Sequence, residues 1–328
     1  MAIDQHSLGT LGPRAIGGKR LNMEIGMVGL GKMGGNMCRR LHDRGHKVIG
    51  FDAVPAKIEE VSANLSEAAS SLKELVQKLS PPRLVWTMVP AGKPTAEVIA
   101  ELAGHLESGD ILVDGGNSFY KDSQFHAAEL AAKDIHFLDI GVSGGLWGLA
   151  EGYCLMAGGE KEALEHIQPI IDTLAADGGY ARVGNSGAGH YTKMVHNGIE
   201  YAMLESYGEG FELLHSSEFE LDLHQIASLW LHGSVVRSWL LNLTEQVFRK
   251  DSTLDKIKGY VEDSGEGRWS IDEAIEKGVP VPAIADALFA RFKSQEQDSY
   301  AAKVIAALRH EFGGHKVLRE ETDVDIAA

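Results

Sequence analysis

A glycine-rich run near residue 30, Gly29-Leu30-Gly31-Lys32-Met33-Gly34, constrains the fold more than any other feature of this chain. It follows an apolar segment, residues 24–28, typical of a buried strand, and it opens a helical pattern that continues through Leu41. A GxGxxG pattern between a strand and a helix is typical of a dinucleotide-binding turn. Its three glycines allow the tight turn, the approach of the pyrophosphate and close helix packing. We therefore expect all six residues of the run to contact a dinucleotide, with the phosphates at the helix N-terminus.

Asp52 stands at the end of a second predicted strand, residues 46–51. An acidic residue at this point accepts hydrogen bonds from the adenosine ribose and repels the 2′-phosphate of NADP. No arginine follows it at once. The sequence therefore favours NAD, with NADP as the weaker alternative; the other interpretation is that Asp52 only begins the turn toward Pro55.

Strand and helix patterns continue to alternate through the first half of the chain. Residues 84–89, 110–114 and 135–139 have the composition of strands, and residues 95–106 and 119–133 have a helical pattern. This alternation predicts an α/β, Rossmann-type, doubly wound parallel sheet.

Ligands of such sheets bind beyond the carboxyl ends of the strands. The candidate cofactor contacts at these ends are Val89, Pro90, Ala91 and Asn117. A further end carries Ser143, Gly144 and Gly145, where consecutive backbone N–H groups suit a carboxylate or a hydroxyl group.

The second half of the chain changes character near residue 187. Long helical patterns cover residues 188–215, 222–232, 236–250, 270–278 and 282–310, and strand patterns nearly disappear. We expect a dinucleotide-binding domain over residues 23–186 and an all-α domain for substrate binding and oligomerisation over residues 187–328. Residues 1–22 are predicted to be an irregular extension without the apolar region of a secretory signal. Their three basic residues, Arg14, Lys19 and Arg20, keep an organelle-targeting interpretation open.

Four polar residues share one face of the predicted helix 188–215. Lys193, His196, Asn197 and Glu200 have the spacing i, i+3, i+4 and i+7. The amine and the carboxylate are then two turns, roughly 10 Å, apart. A small substrate fits between a base and an acid so placed, whereas the structural alternative is a solvated polar face. A lysine acts as a base near neutral pH only where its surroundings disfavour the charged form, so we expect a desolvated amine.

Composition excludes several classes of partner. The net charge of −16 disfavours nucleic acid and anionic membrane surfaces as partners, so an anionic metabolite must be held by a local cluster of arginine and lysine. The two cysteines, Cys38 and Cys154, form no CxxC pair and imply neither a disulfide framework nor a zinc site. We expect a cytoplasmic protein that binds no metal.

Seven motifs resemble those of one known family, the decarboxylating 6-phosphogluconate dehydrogenases, within the β-hydroxyacid dehydrogenase superfamily. They are GLGKMGGN (29–36), DGGNS (114–118), GVSGG (141–145), LMAGG (155–159), GAGHYTKMVHNGIEY (187–201), VPVPAIADALFARF (279–292) and LRHEFGGH (308–315). The resemblance covers residues 23 to about 318 and is greatest to the short, NAD-preferring form. It implies oxidative decarboxylation of 6-phospho-D-gluconate to D-ribulose 5-phosphate and CO2, in the pentose phosphate route or in gluconate utilisation.

The resemblance also implies residue roles. Lys193 matches the general base and Glu200 the general acid, while Arg291 and Arg309 match the arginines that hold the phosphate. The other positions that match substrate contacts are Asn117, Ser143, Gly144, Gly145, His196, Asn197, Tyr201 and His315. In the family the segment of Arg309 and His315 comes from a neighbouring subunit, which implies a homo-dimer or homo-tetramer with shared sites.

Two positions depart from the family pattern. Ser264 and Glu266 stand where members often have Lys and Thr, so one phosphate contact from this segment is in question.

Two other functions compete with this interpretation. One is a different β-hydroxyacid dehydrogenase, of the 3-hydroxyisobutyrate or tartronate semialdehyde type; the other is a non-catalytic nucleotide-binding module, which retention of Lys193 and Glu200 disfavours.

Overall fold

The computed structural model describes residues 22–318. The predicted extension 1–22 therefore lies outside the described residues except for Asn22. The chain divides into two compact units between Met194 and Val195. The sequence placed its domain boundary slightly earlier, at 186/187, and that boundary stays a prediction.

The first unit contains one eight-stranded sheet in the order β3-β2-β1-β4-β5-β6-β7-β8. All neighbouring strands are parallel except β6 and β7, which are antiparallel. The strands are β1 Glu24–Val28, β2 Lys47–Phe51, β3 Glu67–Ala68, β4 Leu84–Thr87, β5 Ile111–Asp114, β6 His136–Ser143, β7 Tyr153–Gly158 and β8 Ala175–Gly184. The order 3-2-1-4-5-6 is that of a doubly wound dinucleotide fold, so the predicted α/β class is confirmed.

Helices follow the strands of this unit. They are α1 Lys32–Asp43, α2 Pro55–Val61, α3 Leu72–Gln77, α4 Lys93–Leu102, α5 Tyr120–Ala131, α6 Gly148–Glu151, α7 Lys161–His166 and α8 Gln168–Leu174, with 3₁₀ turns at Ser62–Asn64 and Gly145–Trp147. Alternate strand residues enter different cores, as Val113 and Leu112 of β5 do. Burial on both faces explains why the strands are continuously apolar rather than alternating.

The second unit is helical, as predicted. The helices are α9 Ala188–His215, whose first residues belong to the first unit, α10 Leu223–Trp230, α11 Trp239–Lys250, α12 Glu266–Lys277, α13 Pro282–Gln295 and α14 Tyr300–Gly313. One core contains Phe211, Leu223, Leu241 and Phe248, from α9, α10 and α11. A smaller one packs Tyr201 of α9 against Leu288 of α13.

The prediction of one helix over 282–310 was wrong. The structure has two helices there, because residues 296–299 leave the helical path and Ser299 caps the start of α14 by accepting a hydrogen bond from Ala302 N–H. Strands β7 and β8 were not predicted from the sequence, and β6 continues to Ser143, beyond the predicted end at residue 139.

The start of α9 lies directly against the sheet at Gly189. A Cβ atom added there would lie 2.5 Å from the Met156 carbonyl oxygen and would also collide with that of Asp139. Only glycine allows this approach of the helix to the backbones of β6 and β7.

Candidate active site

The turn between β1 and α1 has the geometry of a phosphate site. Gly29 has φ +88°, and a Cβ there would lie 2.5 Å from the Met88 carbonyl oxygen. A Cβ at Gly34 would collide with the Gly29 carbonyl oxygen, whereas one at Gly31 would meet no atom of the described residues within 4 Å. The first and last glycines are therefore required by packing, and Gly31 leaves the turn open on its outer side.

The open side lies at the N-terminus of α1. Gly31 is the N-cap residue, and within residues 22–318 no side chain caps this helix end. The uncapped N–H groups of Lys32 and Met33 are available to a phosphate, with the helix dipole favouring negative charge.

Asp52 lies beside this turn. Its carboxylate accepts hydrogen bonds from Leu30 N–H at 2.7 Å and from Val54 N–H at 2.8 Å. A carboxylate has about four acceptor positions, so two such bonds leave capacity for ribose hydroxyl groups. The residue thus begins the turn toward Pro55 and also supports the glycine-rich turn.

The segment after β4 lies next to the glycine-rich turn because β4 pairs with β1. Met88 N–H donates to the Val28 carbonyl oxygen at 2.7 Å, and Thr95 Oγ1 donates to the Pro90 carbonyl oxygen at 2.8 Å. Val89, Pro90 and Ala91 therefore occupy a fixed loop at the carboxyl end of the sheet.

The loop after β5 is organised by Asp114, which the sequence analysis did not select as a site residue. Asp114 is fully buried, and its carboxylate accepts from Gly116 N–H at 3.0 Å and from Ser118 Oγ at 2.7 Å. These bonds fix the backbone on both sides of Asn117. The signal was present in the sequence as an acidic residue at a strand end, followed by two glycines.

The loop after β6 begins at Ser143, the last residue of the strand. Gly144 and Gly145 both have positive φ, +119° and +52°, and a Cβ at Gly145 would meet nothing within 4 Å. The loop therefore turns at the same edge of the sheet with its backbone exposed at Gly145.

Lys193 is buried, with 9% of its surface exposed. It lies one turn into α9, and its Cβ packs against β6 at Gly141, where any side chain would collide with it. The residue as a whole therefore has little contact with solvent.

Asp139 anchors this end of α9 and was also missed. Its fully buried carboxylate accepts from Gly187 N–H at 2.7 Å and from His190 N–H at 2.9 Å. Burial raises the pKa of Asp139, and the nearby His190 and these hydrogen bonds act in the opposite direction. The carboxylate thus satisfies free N–H groups at the start of the helix that bears Lys193.

In the helical unit, Asn197 connects three further polar residues. Its Nδ2 donates to Glu266 Oε1 at 2.8 Å, and its Oδ1 lies 2.9 Å from His196 Nδ1. His196 Nδ1 lies 3.8 Å from Glu200 Oε2. The structure therefore brings His196, Asn197 and Glu200 together, and it adds Glu266.

Tyr201 is the centre of a second cluster of predicted site residues. The Arg291 guanidinium carbon lies 3.5 Å from the centre of the Tyr201 ring, and Arg291 Nη1 donates to the Glu262 carbonyl oxygen at 2.7 Å. The Tyr201 hydroxyl lies 2.9 Å from Ser264 Oγ. Stacking and a backbone hydrogen bond thus hold a cation in one orientation.

Arg309 and His315 lie on α14 and just after it, and both are exposed. No residue of α14 is buried among the described residues. Its apolar side chains are instead open, with Ile305 58%, Leu308 56% and Phe312 76% exposed.

Comparison with known proteins agrees with these features. Residues 24–189 match the family described as the NAD binding domain of 6-phosphogluconate dehydrogenase, and residues 189–325 match its C-terminal domain. The chain belongs to the 6-phosphogluconate dehydrogenase family. The resemblance inferred from the motifs is thereby confirmed, and so is a dinucleotide-binding first half.

Relatives of this family match nearly the whole chain. A Bacillus subtilis protein whose name places it in the family is 45% identical over 293 residues, 89% of this chain and 98% of the relative. The NAD(+)-dependent, decarboxylating 6-phosphogluconate dehydrogenase of Haloferax volcanii is 40% identical, over 91% of this chain and 100% of that protein. An NADP(+)-dependent enzyme of Bacillus subtilis is 38% identical, and the match spans only 61% of its length.

Two solved structures resemble this chain, and one of them belongs to the same family. The Plasmodium falciparum 6-phosphogluconate dehydrogenase matches with TM-score 0.76 and 28% identity, over 92% of this chain and 67% of that one. The 3-hydroxyisobutyrate dehydrogenase of Mycobacterium tuberculosis matches with TM-score 0.69 and 22% identity, over 88% of this chain and 100% of that one, a likeness of fold alone.

No helix within residues 22–318 is long and apolar enough to cross a membrane. In the same range no three side chains of His, Cys, Asp or Glu are grouped so as to hold a metal ion.

Proposed function

We propose that this protein catalyses the NAD-dependent oxidative decarboxylation of 6-phospho-D-gluconate to D-ribulose 5-phosphate and CO2. The observation that carries the proposal is a buried Lys193, seven residues before Glu200 on α9, in a chain of which 91% matches the whole of a decarboxylating family member. Neither rival function accounts for both features together.

In the proposed reaction Lys193 acts first as a base. Its neutral amine takes the proton from the C3 hydroxyl group of the substrate. Bound NAD supplies the acceptor for the hydride that leaves C3. The protonated amine of Lys193 then polarises the new C3 carbonyl, which stabilises the enolate that forms as the C1 carboxylate leaves as CO2. Glu200 delivers a proton to the carbon that lost the carboxylate.

The preference for NAD is supported by Asp52. Its carboxylate is held by Leu30 N–H and Val54 N–H, so it cannot easily turn away from the end of β2. A 2′-phosphate there would meet a fixed negative charge. The Haloferax volcanii relative named as NAD(+)-dependent supports the same choice.

The phosphate of the substrate is assigned to Arg291, together with Arg309 from a second copy of the chain. Arg291 is already oriented by Tyr201 and Glu262. The α14 helix exposes Ile305, Leu308 and Phe312, apolar area that a second copy would cover. We infer a homo-dimer or homo-tetramer in which α14, Arg309 and His315 complete the neighbour's site.

A cytoplasmic location is inferred from cysteine usage. Cys38 and Cys154 are both free in the structure, which suits a reducing compartment.

A substrate panel tests the function. The purified protein is given 6-phosphogluconate with NAD or NADP, and nicotinamide absorbance, CO2 and ribulose 5-phosphate are measured. We expect turnover with release of both products and a higher kcat/KM with NAD. Gluconate tests the phosphate contact, while 3-hydroxyisobutyrate and tartronate semialdehyde test the rival dehydrogenases. Preferential turnover of either rival substrate, or none with 6-phosphogluconate, would reject the proposal.

A further inference from the structure

Four side chains of the helical unit form a continuous polar chain from Glu266 to Glu200. Asn197 Nδ2 donates to Glu266 Oε1 at 2.8 Å, Asn197 Oδ1 lies 2.9 Å from His196 Nδ1, and His196 Nδ1 lies 3.8 Å from Glu200 Oε2. Glu266 and Asn197 are only 2% and 8% exposed. Water therefore competes little for the hydrogen bond that joins them.

The backbone around Glu266 is shaped to bring its carboxylate to Asn197. Gly265 has φ +102°, which starts α12 abruptly, and a Cβ at Gly267 would lie 2.9 Å from the Tyr201 ring. The two glycines thus let the first turn of α12 lie against α9.

The carboxylate sets the direction of each hydrogen bond that follows. In the structure Glu266 Oε1 is the acceptor and Asn197 Nδ2 the donor of the hydrogen bond between them. Asn197 must therefore turn its NH2 group to Glu266 and its carbonyl oxygen to His196. Because that oxygen can only accept, a neutral His196 ring carries its proton on Nδ1 and its lone pair on Nε2.

We propose that Glu266 is a positioning residue that sets the tautomer of His196 through Asn197. The proposal rests on the proposed function and on the substrate contact that the family resemblance implies for His196. With its lone pair on Nε2, the ring accepts a hydrogen bond from a substrate hydroxyl group. The opposite tautomer presents an N–H at this nitrogen, which would favour a carbonyl or carboxylate oxygen instead. Glu266 thereby selects for a hydroxyl group at this point of the substrate.

The test is Glu266→Gln, compared with Glu273→Gln. Glutamine at 266 can donate as well as accept, so it no longer dictates the orientation of Asn197. Glu273 is a second buried carboxylate of α12, about two turns further along the helix, and it pairs with Lys277. The 15N chemical shifts of the His196 ring, assigned with a His196→Gln variant, report the tautomer; steady-state kinetics report its consequence.

We expect Glu266→Gln to convert a single Nδ1–H tautomer into a mixture and to lower kcat/KM for 6-phosphogluconate by roughly 5- to 30-fold. Glu273→Gln should change neither. Should Glu266→Gln fail to fold, Asn197→Ser interrupts the same chain and is expected to release the tautomer in the same way.

A single Nδ1–H tautomer in the folded variant, or an Nε2–H tautomer in the unaltered protein, would overturn the proposal. The nitrogen shifts are measured without turnover. If the unaltered protein does not oxidise 6-phosphogluconate, the proposed function fails and the tautomer assignment is still decided by those shifts.

Discussion

The Asp52 carboxylate accepts a hydrogen bond from the backbone N–H of Leu30, 2.7 Å away, and so ties the end of β2 to the glycine-rich turn. One side chain thereby supports the phosphate site and, in the proposed function, selects the cofactor.

Replacing Asp52 with Asn should lower kcat/KM for NAD and narrow the preference over NADP. Asp52 accepts from Leu30 N–H with one carboxylate oxygen and from Val54 N–H with the other, whereas Asn has a single acceptor oxygen. The variant therefore cannot keep both of these hydrogen bonds and also accept hydrogen bonds from the ribose hydroxyl groups. Hydrogen bonds to charged groups contribute about 1.5–3 kcal/mol, so we expect roughly a 10- to 100-fold loss with NAD. Steady-state kinetics with both cofactors measure this loss. An unchanged ratio of kcat/KM for NAD to kcat/KM for NADP would show that Asp52 does not select the cofactor.

Lys193→Met should lower kcat on the order of 100-fold or more, because the variant retains the buried aliphatic chain and lacks the base. The matched control is Lys161→Met, which removes an exposed lysine of α7. Steady-state kinetics with 6-phosphogluconate compare the two variants. Wild-type turnover by Lys193→Met would refute the base assignment, whereas Lys161→Met should be indistinguishable from the unaltered protein.

Two impaired variants should restore activity when they are assembled together. In a mixed dimer of Lys193→Met and Arg309→Ala, one site has an intact lysine and receives an intact arginine from its neighbour. Random assembly of a dimer then recovers about a quarter of the unaltered activity, because half of the dimers are mixed and each has one working site. Co-expression with two affinity tags and assay below KM measure this recovery. If Arg309 served its own subunit, no activity would return.

The two cysteines should differ sharply in their reactivity toward iodoacetamide. Cys38 is fully buried, and burial raises the pKa of its thiol to about 12, so almost no thiolate forms at mildly alkaline pH. Cys154 is exposed on β7, opposite Ser143 of β6. Peptide mass spectrometry of the native protein should find Cys154 alkylated and Cys38 unmodified until denaturant is added. Equal labelling of both would contradict the buried position of Cys38.

Protonation of Glu74 should lower the free energy of unfolding as the solution is acidified. The hydroxyl and backbone N–H of Ser70, with Lys78, lower the pKa of Glu74 from 4.5 to about 2. A carboxyl with a lower pKa in the folded state contributes stability above the unfolded value of 4.5, and this contribution is lost as pH falls from 4.5 toward 2.

Urea unfolding measures this effect. Glu74→Gln should be less stable than the unaltered protein near neutral pH, and the two should converge in acid. The exposed Glu129→Gln of α5 is the control for a simple change in charge. A stability difference that stays constant across the acid range would contradict the role of Ser70.

Sequence patterns predicted the parts of the fold that depend on short stretches of the chain. The glycine-rich turn was found because Gly29 and Gly34 are required by contacts a few residues away, and the bounds of α9 were predicted correctly because its helical pattern is long. The break between α13 and α14 was missed because residues 296–299 contain neither Gly nor Pro.

The supporting residues of the site depend on contacts between distant parts of the chain. Asp139 meets the start of α9 across 48 residues, and Asn197 meets Glu266 across 69. No spacing rule in one sequence connects such pairs, so Asp139 was not among the candidates and Glu266 appeared only as a departure from the family pattern. Sequence motifs predicted the residues assigned to the chemistry, whereas only the structure revealed the residues that hold them in place.

Gly189 makes the proposed chemistry dependent on a residue that takes no part in it. A methyl group there would meet the carbonyl oxygens of Asp139 and Met156, and neither can rotate away because both belong to paired strands. The helix itself would have to lift, and Lys193, one turn further on, would be carried with it. Steric clash thus excludes alanine at position 189 while α9 keeps its place. A larger residue at this position in another protein of this fold would indicate that the helix lies further from its sheet.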